Sequence, residues 1–387
     1  MILEIHGTGT HNRGAELMAM AVAARLRQTR PDIRLAVSSQ FGTIEERARH
    51  GFLTVDDFPG RFRTRWYARL APDGFRRAMR LAQTSEITAV MDASGFAFSD
   101  KWGPGPAESL VRKMDQSARR GQKLVLLPQA LGPFQNPQVA SACRRLLARA
   151  DLIYARDPDS LAAVQALGGV RHPKLCPDFT TSLPGWAPAD IELPRSFAAI
   201  VPNRRMLDKT DDRDGSSYLG FLETAVHALR ETEYYPLILL HDAVEDRQLL
   251  PRLFVRVGEL QVIEHHDPQV LKGVLSRAGV VIGSRFHALV GALSQGVPSI
   301  GVGWSHKYRW LFQDFDCSEN LIEDMSYPDA FDRALSNVCD PDQRELLVRK
   351  LLRSTRAIDE RVDAMWMNVE ECLNVRTPLS EPVLFLE

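Results

Sequence analysis

Gly279-Val280-Val281-Ile282-Gly283-Ser284-Arg285-Phe286-His287-Ala288-Leu289-Val290 changes character at its centre. Val280-Val281-Ile282 is a short, β-branched apolar run, the mark of a strand buried on both faces in a parallel sheet. Gly283-Ser284 breaks it. A helical pattern of small and apolar residues follows, through Gly291-Ala292-Leu293 towards Gly296-Val297-Pro298. An arginine and a histidine therefore stand between the C-terminal end of a strand and the first turn of a helix, the edge at which open α/β sheets bind ligands. The helix start contributes N–H groups and positive potential. Arg285 contributes a planar fork for carboxylate or phosphate, and His287 a proton that exchanges near neutrality. The stretch reads as an anion site with a proton donor attached. The plainer reading is a helix start whose arginine pairs with a structural carboxylate and whose histidine is buried.

Outward from this point the same alternation repeats. Met1 to Ile5 is a short strand, Gly7-Thr8-Gly9-Thr10-His11-Asn12-Arg13-Gly14 a glycine-rich turn, and Ala15 to Gln28 a helix. Further strands are expected at 33–38, 87–92, 123–129 and 152–157, then at 197–202, 236–241, 261–264, 280–282 and 299–302. Strands alternating with helical patterns imply parallel sheets covered by helices. The fold expected is α/β, with two Rossmann-like domains facing a cleft, a GT-B-like arrangement. Residues 1–183 form the N-terminal domain on the acceptor side. A linker rich in Pro and Gly occupies 184–196, the donor domain 197–340, and charged C-terminal helices and a tail 341–387.

Composition narrows the function classes. The 387 residues are 44% hydrophobic and 25% charged with a net charge of −1, so the balance of charge offers nothing to nucleic acid. The five cysteines are scattered without a CxxC pair, which fits a reducing, cytoplasmic setting and neither a zinc ribbon nor a disulfide framework. The first residues lack the basic and apolar regions of a signal peptide, and no apolar run reaches the ~18 residues of a membrane span. The first loop lacks the third glycine of a dinucleotide fingerprint, and no acidic residue ends the second strand, so no nicotinamide cofactor is expected. His265-His266-Asp267 has the look of a metal cluster, but adjacent histidines in a strand face opposite ways. A solvated loop and no metal site are expected.

The Ser284-Arg285-Phe286-His287 block, its small-residue helix and Gly296-Val297-Pro298 resemble the signature of the polysaccharide pyruvyl transferase family. Other blocks resemble it in the same order: Asn12-Arg13-Gly14-Ala15-Glu16, Pro128-Gln129-Ala130-Leu131-Gly132-Pro133-Phe134, Ala155-Arg156-Asp157-Pro158 with Ser160, Pro177-Asp178, and Ser305-His306-Lys307. Trp304 stands where a tyrosine is common. The resemblance implies transfer of a pyruvyl group from phosphoenolpyruvate, a co-substrate rather than a cofactor, to a saccharide or lipid-linked oligosaccharide. Two hydroxyls become bridged by a pyruvate ketal. It implies donor contacts from Ser284, Arg285, Phe286, His287 and Lys307, with Arg285 on an anionic group and His287 as general acid. Arg204, after the strand 197–202, is read as a second donor cation, with Lys209 a fainter candidate. The N-terminal domain faces the acceptor, which brings forward Asn12, Arg13, Asp92 and Gln129. Asp92 reads either as a base toward an acceptor hydroxyl or as a turn residue, and Glu16 as a possible helix cap.

The run Arg61 to Arg80, basic and interleaved with aromatics, suggests a patch for an anionic membrane surface, and a protein peripheral to the inner face of the membrane. An ordinary basic helix surface explains it as well. A nucleotide-sugar glycosyltransferase of the same architecture is the alternative enzyme, and a non-catalytic glycan-binding relative the alternative outside catalysis.

Overall fold

The computed structural model describes residues 1–57, 71–117, 121–169, 172–207, 216–303, 305–325 and 328–374. The chain divides into two compact units. Unit one comprises Met1–His11, Met18–Asp178 and Val362–Glu387, and unit two comprises Asn12–Leu17 and Phe179–Arg361.

Unit one is built on an eight-stranded sheet of β1 (Ile2–His6), β2 (Arg34–Val37), β3 (Leu53–Val55), β4 (Leu81–Ala82), β5 (Ile87–Asp92), β6 (Lys123–Gln129), β7 (Leu152–Ala155) and β8 (Lys174–Leu175). The order is β4-β3-β2-β1-β5-β6-β7-β8 and the pairings are parallel. The chain winds one way from β1 to β4 and then returns to place β5 on the other side of β1. The direction of winding therefore reverses between β1 and β5, and the register sets His6 opposite Asp92 there. Local sequence marks the covering helices. Asn136 caps Pro137–Arg149 by accepting from Gln138 N and Val139 N, and Asp157 caps Pro158–Leu167 by accepting from Ser160 N. A proline in the first turn forfeits only an N–H that has no helical partner. Val90, Leu124, Leu126, Leu146 and Ile153 lie in the apolar core between these layers.

Unit two repeats the plan with six strands, β9 (Phe197–Val201), β10 (Tyr235–Leu240), β11 (Val262–Glu264), β12 (Val280–Gly283), β13 (Ser299–Val302) and β14 (Leu321–Ile322), in the order β11-β10-β9-β12-β13-β14. Winding reverses between β9 and β12, where Gly283 pairs with Val201. β9 and β12 are buried along their whole length, as a central parallel strand requires. The stretch 184–196 lies within this unit, where Trp186 N donates to Gln269 O and Gln269 Nε2 to Pro184 O. The C-terminal helices are Pro328–Cys339 and the 34-residue Pro341–Asn374.

No helix among the described residues is long and apolar enough to cross a membrane. Of the basic run, residues 58–70 lie outside the described residues. Within the remainder Arg76 is held by Asp73 and Glu86, and Arg80 Nε donates to Phe52 O. His265 and His266 follow β11 in a loop, their rings stacked at 4.3 Å. No group of three or more metal-ligating side chains is found among the described residues.

Candidate functional site

At the reversal point of unit two the turn after β12 is tied to the turn after β9. Asn203 Nδ2 donates to Ser284 O at 2.8 Å, Tyr308 Oη donates to the same carbonyl at 2.7 Å, and Ser284 N donates to Val201 O. Ser284 Oγ and the Tyr218 hydroxyl share a 2.9 Å hydrogen bond, and Tyr218 Oη accepts from Asn203 N. Burial pushes the Tyr218 phenol up to about 12, so it stays a neutral hydroxyl. Ser284, expected to touch the donor, is buried and makes these internal bonds.

Arg285 is the N-cap of the helix Phe286–Leu293 and provides no side-chain cap. Its guanidinium is nine-tenths buried. Nε donates to Asp246 Oδ2 at 2.8 Å and Nη2 to Asp246 Oδ1, with Asp242 and Glu245 at 3.6 and 3.7 Å. Burial alone works against its charge, but the bonds and charges from Asp246, Asp242 and Glu245 outweigh that and hold the group above its ordinary value. The plainer reading of Arg285, a pair with a structural carboxylate, is therefore realised on one edge of the fork. Nη1 has no hydrogen-bonding partner among the described residues.

His287 is half-buried, its ring edge-on to Phe286 at 5.4 Å. Lys307 Nζ lies 5.2 Å from the Phe286 ring centroid and 5.3 Å from that of Tyr308, within cation–π range. Arg204 is half-buried and its backbone N–H donates to Asp246 Oδ1 at 2.9 Å, so one carboxylate serves both the Arg204 turn and the Arg285 fork. Lys209 and Trp304 lie outside the described residues. The segment Asn12–Leu17 groups with this unit. Asn12 Oδ1 accepts from Gly14 N and Ala15 N, so Asn12, not Glu16, caps the helix. Glu16 instead takes Arg13 at 2.5 Å. His241, at the end of β10, is buried. Burial, then the charges of Arg285, His287 and Arg13, hold its imidazole well below the usual value, so it is neutral.

The reversal point of unit one carries a second constellation. Asp92 is fully buried, and Oδ2 accepts from His6 Nδ1 at 2.8 Å. Oδ1 accepts from Gln129 Nε2 at 3.0 Å, from Ser94 N at 3.3 Å and from Ser94 Oγ. Gln129, expected to bind a sugar hydroxyl, is buried with its amide spent on Asp92. Asp92 does more than shape a turn, since it holds a histidine. The sequence alone assigned His6 no role. It also missed Asp246, whose role depends on a partner 39 residues away. Neither position carries a local signal.

Arg285, Arg204 and Lys307 give unit two cations for an anionic ligand, with His287 in the first turn of the helix that Arg285 precedes. No curated protein matches the chain significantly by sequence. Among solved structures, the Anabaena protein HepE in complex with UDP and glucose aligns with a TM-score of 0.59 at 15% identity, covering 96% of this chain and 98% of that one. The UDP-GlcNAc 2-epimerase from Neisseria meningitidis bound to UDP-GlcNAc aligns with a TM-score of 0.58 at 11% identity, covering 96% and 99%. At such identities the likeness is one of fold, that of GT-B glycosyltransferases and epimerases with two parallel-sheet α/β domains. The model of one sequence family, polysaccharide pyruvyl transferase, matches residues 12–306. That span holds the whole Ser284–His287 turn and the capped loop at Asn12, and the chain belongs to the polysaccharide pyruvyl transferase family.

Proposed function

We propose that the protein moves the pyruvyl group of phosphoenolpyruvate onto a sugar of a surface polysaccharide or of its lipid-linked precursor, forming a pyruvate ketal and releasing phosphate. Family membership supports a transferase of this class. The observation that carries the donor is the Arg285 fork, fixed along one edge by Asp246 while Nη1 remains for a ligand at the start of the helix Phe286–Leu293. A carboxylate or phosphate oxygen meets there a charge already oriented, so little ordering entropy is lost on binding. Arg204 and Lys307 supply charge for the second anionic group. His287 delivers a proton to the methylene carbon of the enol phosphate, making the adjacent carbon electrophilic toward a sugar hydroxyl.

Calorimetric titration with phosphoenolpyruvate, run beside UDP-glucose, tests this reading. Binding of phosphoenolpyruvate but not of UDP-glucose, weakened at least tenfold in Arg204→Ala, is the expected result. Binding of UDP-glucose alone would move the protein to the nucleotide-sugar enzymes.

A further inference from the structure

Where the strands β3 and β4 of unit one begin, at the edge opposite the one that carries Asp92, two guanidiniums come together without a carboxylate. Arg27 lies in the last turn of the helix Arg13–Thr29, Gly51 precedes β3 and Arg80 precedes β4. Arg27 Nη2 donates to His50 O, its Cζ stands 5.8 Å from the Phe52 ring centroid, and Arg80 Nε donates to Phe52 O at 3.3 Å. Gly51 lies between the two groups. A Cβ on it would stand 2.9 Å from Arg27 Nη2 and 3.9 Å from Arg80 Nη2. Among the described residues neither guanidinium pairs with a carboxylate. Burial first and then the charge of Arg80 pull Arg27 below its ordinary value, so two like charges are held together here in a strain that anions would relieve. Arg80 follows the short helix Asp73–Ala78. The one acidic residue of that helix, Asp73, is engaged by Arg76, and Arg77 is exposed. Phe75 and Met79 are four residues apart and so share a face, and they are 54% and 50% exposed.

We propose that this face docks on a membrane surface containing anionic phospholipid, with Arg27, Arg77 and Arg80 at the headgroup phosphates and Phe75 and Met79 at the acyl boundary. The inference is independent of the transfer reading above. A soluble anion would satisfy the arginines and leave two large apolar side chains in water. A bilayer surface takes both classes at once, since charge is met at the headgroups and apolar area is buried just beneath them. No helix among the described residues is long and apolar enough to cross a membrane, so the attachment is peripheral and is screened by salt. The patch stands where the strands of unit one begin. Docking there leaves the ligand edge of the same sheet, where the strands end, uncovered.

Sedimentation of the full chain with lipid vesicles tests it. The wild-type protein should bind vesicles of phosphatidylglycerol mixed with phosphatidylcholine, ignore phosphatidylcholine alone, and be released by salt on the order of 1 M. Arg27→Gln with Arg80→Gln should weaken binding about tenfold or more. Phe75→Ser with Met79→Ser should weaken it by a similar factor of about ten, through lost apolar burial. Arg27→Lys with Arg80→Lys should bind like wild type, because a headgroup surface responds to charge rather than to fork geometry. Each variant should unfold within a few degrees of wild type. Absence of binding to the anionic vesicles, or binding undiminished in both the glutamine and the serine variants, would overturn the proposal. Titration with inorganic phosphate separates the two sources of the same chemistry. Saturable phosphate binding that is lost in the glutamine variant, without binding to vesicles, would identify a site for a soluble anion and refute membrane docking.

Discussion

Asp246 receives the Nε edge of Arg285 on both of its oxygens, and the same two oxygens also accept the backbone N–H groups of Arg204 and Asp242. One fully buried carboxylate thus fixes a guanidinium and two turns. Truncating one member of such a pair strands the other. Arg285→Ala should cost about 3–5 kcal/mol in urea unfolding and abolish phosphoenolpyruvate binding. The double variant Arg285→Met, Asp246→Asn should recover much of that stability without recovering the donor. Recovery of both would show that Arg285 has only a structural role.

Gly14 has no side chain because His287 occupies the space. A Cβ on Gly14 would lie 2.2 Å from His287 Nδ1 and 2.8 Å from Cγ. Gly14 is in the first turn of the helix Arg13–Thr29 and has no left-handed backbone to protect, so Gly14→Ala should leave the fold intact while displacing the imidazole. A shift of about 1 Å in a catalytic group can cost on the order of a hundredfold in rate. Steady-state kinetics should show kcat falling at least tenfold with a smaller change in KM for phosphoenolpyruvate. An unchanged kcat would mean that the position of His287 is immaterial.

His241 is neutral in the folded protein, held well below its ordinary value by burial first and then by Arg285, His287 and Arg13. In the unfolded chain it protonates near pH 6.5. As pH falls through about 6.5 the unfolded state takes up a proton that the native state refuses, so stability declines towards acid. His241→Gln should flatten that decline between about pH 6.5 and 5, read as urea midpoints against pH for the two proteins. Parallel curves would contradict a buried neutral His241.

Lys272 is buried, and its ammonium donates to the carbonyls of Thr180, Thr181 and Leu183 at 2.8, 3.2 and 2.6 Å. Methionine fills similar volume but donates nothing. Lys272→Met should therefore lose about 3 kcal/mol, since hydrogen bonds to a charged donor disappear and buried acceptors remain. Affinity for phosphoenolpyruvate should be unaffected. Loss of affinity at unchanged stability would reverse the assignment of Lys272 to packing.

The sequence by itself determined what local chemistry determines. Val280-Val281-Ile282 is too short and too β-branched for a helix, Gly283-Ser284 ends it, and Asn136-Pro137 and Asp157-Pro158 start helices through their own caps and fixed φ. Alternation of such runs was enough for parallel sheets in two α/β halves, and for Arg285 and His287 at a strand end. The short strands β3, β4, β8 and β14, at or next to a sheet edge, escaped notice, since two or three residues carry no periodicity and are strands only through a neighbour's hydrogen bonds. Tertiary structure alone decided which charges meet. His6 and Asp92 are 86 residues apart, and Arg285 and Asp246 are 39 apart. Each pair exists because strand order and register bring two chain ends to one edge. Order and register are set by how whole elements pack, and no window of sequence around either partner contains that information.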